Sequence, residues 1–315
     1  MSFTSVAGQA RAIELLRADL GGGTLPPAYL FAGSDGIGKR LLALQLAKAL
    51  LCDAGGGDAC DRCSACRRIE QRQHPDVWWI EPEDAHAPLK IEQVREILQH
   101  IGLRPFEGRH HVVIIIAAEQ LTEEAANALL KTLEEPTGST QFILTTANRA
   151  ACLPTIVSRC RLVPCLRLPA ALIVERLTAD HGVPRNEAEA LARWADGSLG
   201  RALARHQEHW WERQQELLQM MRQGEWQPLA KMIPGGEEAR PWLQETLELL
   251  IWSCRQQALE AASSGAPDAA ASLAATVDWL LQRLDDVNRY ANAKLVWSIV
   301  VDRLQDTAVP TGRSG

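Results

Sequence analysis

The chain has 315 residues, 46% of them hydrophobic, enough for a sizeable core and about two domains. Its net charge of -6 argues against a protein that grips nucleic acid with its whole surface. The first 20 residues lack a basic start followed by an apolar run, and no run of about 18 apolar residues exists. Neither export nor membrane insertion is therefore expected, and the cytoplasm is the expected compartment.

Five apolar runs punctuate the first half: AYLFA (28–32), DVWWI (76–80), HVVIIIAA (111–118), QFILTT (141–146) and RLVPC (161–165). They do not alternate with polar residues, they are rich in β-branched side chains, and helical patterns separate them. That combination predicts buried parallel strands in βα units. One helix is especially clear. Thr122 is placed to cap it, Glu123 and Glu124 suit its first turn, and Pro136 ends it. Ala126, Leu129, Leu130 and Leu133 form a stripe expected to pack on the sheet.

Beyond about residue 165 the strand-like runs stop. Two short helical patterns follow, broken at Gly197, and from about 207 everything reads as helix. Most of the ten tryptophans fall there, at spacings that suit core or helix–helix contacts. Leu249, Trp252, Leu280 and Trp297 are candidates for a private core or a partner surface. SSGAPDAAAS (263–272) reads as a flexible connector, and PTGRSG (310–315) as a disordered tail.

The first run leads into GSDGIGKR (33–40), nearly a phosphate-binding loop. Gly33, Gly38 and Lys39 fit G-x-x-x-x-G-K, in the strand–loop–helix context where backbone N–H groups cradle phosphates. The next position should carry a hydroxyl for Mg²⁺ but holds Arg40, which has no lone pair for a cation. The run 112–116 should end in a metal-holding carboxylate, and Ile116 and Ala117 stand there instead, with Glu119 beyond. The two departures together argue against a working ATPase, although they leave nucleotide binding itself open.

Cys52, Cys60, Cys63 and Cys66 are spaced C-x7-C-x2-C-x2-C. In a chain without an export signal this pattern points to a closed tetrahedral zinc site. Such a site stabilises a loop and performs no chemistry. Arg62, Arg67, Arg68 and Arg72 flank it, interspersed with Asp58, Asp61 and Glu70, and a solvated face is the expected reading.

Several segments then converge. HPDVWWIEPE, IEQVREILQHI, LTEEAANALLKTLEEPT, FILTTANRAACLPTIVSRCR and the four-cysteine insert resemble the bacterial DNA polymerase III clamp-loader subunits, which are AAA+ proteins. The most specific parts are NALLKTLEEP (127–136) and SRC (158–160). The resemblance is dense over about 24–205. It implies an α/β plus all-α fold: a RecA-like AAA+ domain with a zinc module (1–165), a small three-helix lid (166–206) and a helical collar domain (207–315). Motor subunits of the gamma or tau type have an intact loop, an Asp-Glu pair and a sensor arginine. This chain has Arg40, then Ile116 and Ala117, then Gly200 at the sensor position, with Arg201 one place on. These departures resemble the delta-prime type.

The resemblance implies an ATPase-inactive stator, part of a DNA polymerase holoenzyme. Arg159, within Ser158-Arg159-Cys160, would act as an arginine finger on a neighbouring motor subunit's γ-phosphate. From the residues alone, Arg159 is an ordinary surface or salt-bridging arginine. The implied partners are gamma/tau and delta subunits, and through them the sliding clamp and primer-template DNA. The rivals are an active gamma/tau-like motor and a zinc-dependent DNA-binding module.

Overall fold

The structure is a computed structural model. It describes residues 2–23, 25–84, 87–107, 110–134, 139–207, 210–223, 226–289 and 291–307. The expected helix stop at Pro136 and the tail from 310 lie outside these residues. The chain divides into two compact units, Met1–His206 and Gln207–Gly315.

In the first unit the elements follow in chain order. They are α1 (Ala10–Gly22), β1 (Ala28–Ala32), α2 (Lys39–Leu51), α3 (Ser64–Glu70), β2 (Val77–Ile80), α4 (Ile91–Ile101), β3 (His111–Ile115) and α5 (Glu123–Glu134). Then come β4 (Thr140–Thr146), α6 (Pro154–Val157), β5 (Arg161–Pro164), α7 (Ala170–His181), α8 (Arg185–Trp194) and α9 (Leu199–Gln207). The five strands form one parallel sheet in the order β2-β3-β4-β1-β5.

The unalternated strands are explained by cover on both faces. Tyr29, Phe31, Val112, Ile114 and Ile143 point into one core with α1 and α2. Leu30, Val113, Ile115, Phe142 and Leu144 point into the other with α4 and α5. α5 starts as expected: the Ala125 N–H donates to Thr122 Oγ1 at 3.2 Å. Of its stripe, Ala126, Leu129 and Leu133 are fully buried and Leu130 packs at the margin.

The buried Asp19 ties α1 to two strands. It accepts a hydrogen bond from the Tyr29 hydroxyl at 3.0 Å and pairs with Arg161 at 3.1 Å. Burial, with the Asp19 charge beside it, pushes the Tyr29 phenol far above its ordinary value.

The second unit contains α10 (Trp210–Gln223), α11 (Trp226–Lys231), α12 (Ala239–Ser263), α13 (Pro267–Asn288) and α14 (Ala293–Thr307). Leu249, Leu280 and Trp297 are buried, whereas Trp252 is half-buried. Trp297 donates its indole N–H to Leu229 O at 3.0 Å and meets Trp242 edge-on at 5.2 Å. The expected connector at 263–272 is corrected. Only the turn between Ser263 and Pro267 is non-helical, because Pro267 takes the first position of α13, where its missing N–H costs nothing, and Asp268 suits the first turn. Among the described residues, no helix is long and apolar enough to cross a membrane.

Asp19→Ala would leave the buried Tyr29 hydroxyl without its acceptor. We expect a loss of about 2 kcal/mol in urea unfolding, and about 1 kcal/mol for Tyr29→Phe, which removes the hydroxyl as well.

Candidate functional site

The glycine loop joins β1 to α2 and opens on a cleft of about 560 Å³, a ligand-sized volume. Lys39, Arg40, Trp79, Ile116, Glu119 and Gly200 are among its lining residues. An ammonium has three N–H donors. Those of Lys39 go to Gly33 O (2.6 Å), Ser34 O (2.8 Å) and Asp35 Oδ1 (3.2 Å). The side chain that would reach a phosphate is thus spent on its own loop.

Arg40 is turned aside as well. Its Nη2 group donates to both carboxylate oxygens of Glu81, at 2.6 and 2.5 Å. Arg72 joins the same carboxylate at 3.0 Å and lies 4.4 Å from the Trp79 ring centroid, with Arg40 at 5.8 Å. At the exit of β3, Ile116 and Ala117 offer no carboxylate. Ala117 takes a left-handed φ of 58° and donates its N–H to Thr145 Oγ1 at 3.2 Å. Glu119 lies in a short 3-10 turn, where Oε1 accepts the Ala147 N–H at 2.8 Å.

Helix α9 closes on the loop through two glycines. Gly200 N–H donates to Gly36 O at 2.8 Å, and a Cβ on Gly200 would stand 2.8 Å from Gly36 Cα. Arg201 points elsewhere, its guanidinium 4.7 Å from the Trp194 ring centroid. Gln9, unremarkable in the sequence, fastens the loop from below by donating to Ile37 O and Leu166 O.

The four cysteines come together. The sulfurs of Cys52, Cys60, Cys63 and Cys66 all lie within 4.8 Å of one another. Thiolates about 2.3 Å from a shared zinc would stand about 3.8 Å apart, so the cluster can hold a metal ion and suits zinc. Cys60 Sγ accepts the Cys63 N–H, and Cys63 Sγ accepts the Cys66 N–H to cap α3, both at 3.4 Å. The backbone N–H groups of Arg62 and Cys63 pull the Cys60 thiol down to about 6, into the range where it binds metal as thiolate. The module is fastened by Lys48, a buried α2 residue that the sequence did not single out. It pairs with Asp61 at 3.0 Å and with Glu70. Burial opposes its charge, yet Glu70 and Asp61 hold the Lys48 ammonium above its usual value. Of the flanking arginines, Arg62 and Arg67 are exposed, while Arg68 pairs with Glu107 and Arg72 with Glu81.

Arg159 follows α6 and precedes β5. It is therefore at the edge of the sheet where strands begin, whereas the glycine loop is at the edge where they end. The four-residue β5 alone spans roughly 13 Å between them. The Arg159 Nε and Nη2 groups both donate to Glu134 Oε1, and Nη1 donates to Thr155 O at 3.0 Å and Ser158 Oγ at 3.4 Å. Burial pushes the Cys160 thiol up to about 12, as befits a packing residue.

The sequence model described as "DNA polymerase III, delta subunit" matches residues 8–168. The Pseudomonas aeruginosa DNA polymerase III subunit delta' is 32% identical over 305 residues, covering 90% of this chain and 92% of that protein. This chain belongs to the DNA polymerase III delta-prime family. The Bacillus subtilis delta' is 37% identical over 54% of this chain and 51% of its own length. Escherichia coli subunit tau is 36% identical over 64% of this chain and 32% of its own length. The crystal structure of a DNA polymerase III gamma subunit-related protein from Thermotoga maritima shares the fold. Its TM-score is 0.53 at 19% identity, over 94% of this chain and 99% of that one.

Titrating the reduced protein with zinc should protect four thiols from a thiol-reactive dye. Cys66→Ser, which removes the most buried ligand, should abolish that protection while the other thiols react as before.

Proposed function

We propose that this chain is a clamp-loader subunit that does not hydrolyse ATP and that lends Arg159, in trans, to a nucleotide bound by a neighbouring subunit. The observation that carries the reading is the position of Arg159 on the opposite sheet edge from its own glycine loop, too far to serve that cleft. A guanidinium is always charged and forks onto phosphate oxygens, which suits charge developing during phosphoryl transfer.

The cleft supports the other half of the reading. Catalysis of this kind needs a metal held by a hydroxyl and a carboxylate, together with a lysine on the phosphates. Here those positions hold Arg40, Ile116 and Ala117, and Lys39 is bonded to the loop itself. The Gly36–Gly200 contact packs α9 directly on the loop, which suits a stator. In this reading the chain has three domains, 1–165, 166–206 and 207–315, with zinc as a structural ion in the first. It assembles with gamma/tau and delta subunits, and the complex loads the sliding clamp on primer-template DNA.

Calorimetric titration of the purified chain with Mg-ATP should give no binding at millimolar nucleotide. Micromolar, magnesium-dependent binding would reinstate the active-motor reading. In a reconstituted loader, Arg159→Ala should cost the site it faces roughly 10³-fold in turnover, with assembly unchanged by gel filtration. Arg159→Lys should not rescue it, because a lysine lacks the planar fork. Full clamp- and DNA-stimulated ATPase in Arg159→Ala would remove the finger assignment.

A further inference from the structure

NALLKTLEEP and SRC, the two most specific segments of the sequence, are joined in space by one ion pair. Glu134 is the last residue of α5, 25 positions before Arg159. A carboxylate is poorly placed there, because the helix C-terminus carries partial negative charge. It is also half-exposed, so burial does not hold it. What it touches is the Arg159 guanidinium, taking both the Nε and one Nη2 proton on a single oxygen.

The rest of the guanidinium is also arranged. Thr155 O and Ser158 Oγ accept from Nη1, and Ser158 in turn donates to Thr155 O at 3.0 Å. A guanidinium has five N–H donors, and these contacts occupy four of them. Glu134 fixes the inner edge, next to the side-chain stem, and leaves the second Nη2 proton directed away from it. An arginine on a short turn otherwise samples many rotamers, and one clamped by its own chain is oriented before it meets a ligand.

We propose that Glu134 is a positioning residue for Arg159: it holds the guanidinium so that its remaining Nη2 proton meets the terminal phosphate of a nucleotide on a neighbouring subunit. This deepens the trans-finger reading and rests on it. Glu134 touches neither nucleotide nor metal. Its effect runs wholly through Arg159.

The test uses the complete reconstituted loader, with clamp- and primer-template-stimulated ATPase as the readout. Glu134→Ala is expected to lower kcat roughly 10- to 100-fold at the site that Arg159 faces, the scale of a misoriented catalytic group, with KM for ATP and assembly unchanged. Glu134→Gln keeps an acceptor for Nε and Nη2 and should retain most of the activity. In an Arg159→Ala background, Glu134→Ala should have no further effect. Full activity in Glu134→Ala, or an additive loss in the double variant, overturns the proposal while leaving the finger itself intact. A silent Arg159→Ala overturns the finger reading, and the role of Glu134 with it.

Discussion

Everything functional in this molecule is organised by the parallel pairing of β1 between β4 and β5. Parallel strands all end at one edge of the sheet and all begin at the other. The ends of β1, β3 and β4 therefore converge on one cleft, which is where the glycine loop, Ala117 and Thr145 meet. The beginnings of β4 and β5 converge at the opposite edge, where α5 delivers Glu134 and α6 delivers Arg159. The sheet thus has two chemical faces that cannot cooperate within one chain. One is built around the glycine loop, and the other carries a half-buried guanidinium held by Glu134, Thr155 and Ser158.

The cleft is best understood as an account of hydrogen bonds. The donors around it are met by the protein's own acceptors, and for the buried Lys39 ammonium an unpaired charge would be costly. Lys39 bonds its own loop, Arg40 finds Glu81, Ala117 N–H finds Thr145, and Gly200 N–H finds Gly36. These are separate adjustments in separate elements with one outcome.

The sheet was largely legible in the sequence because apolar runs without alternation have few destinations other than a strand covered on both faces. The four cysteines were legible because their spacing allows their sulfurs to converge. The order of the strands was not legible, since it is fixed by which helix covers which face rather than by any single run. The segment 263–272 looked like a linker because Ser, Gly and Pro are turn residues, but Pro267 is also a good first residue of a helix. Lys48 and Glu134 carried no local signal. Each is an ordinary charged residue on a helix, and only the fold supplies the Asp61, Glu70 or Arg159 that gives it a purpose.

The contact between Gly36 and Gly200 also makes the present state hard to leave. Any side chain at position 200 begins with a carbon 2.8 Å from the Gly36 backbone, and Gly36 itself holds a left-handed φ of 71°. An arginine at 200 would have to prise α9 from the loop. A hydroxyl at 40 would likewise leave Glu81 with Arg72 as its remaining cation. The contact therefore acts as a ratchet, because neither glycine can take on a side chain without parting the loop from α9.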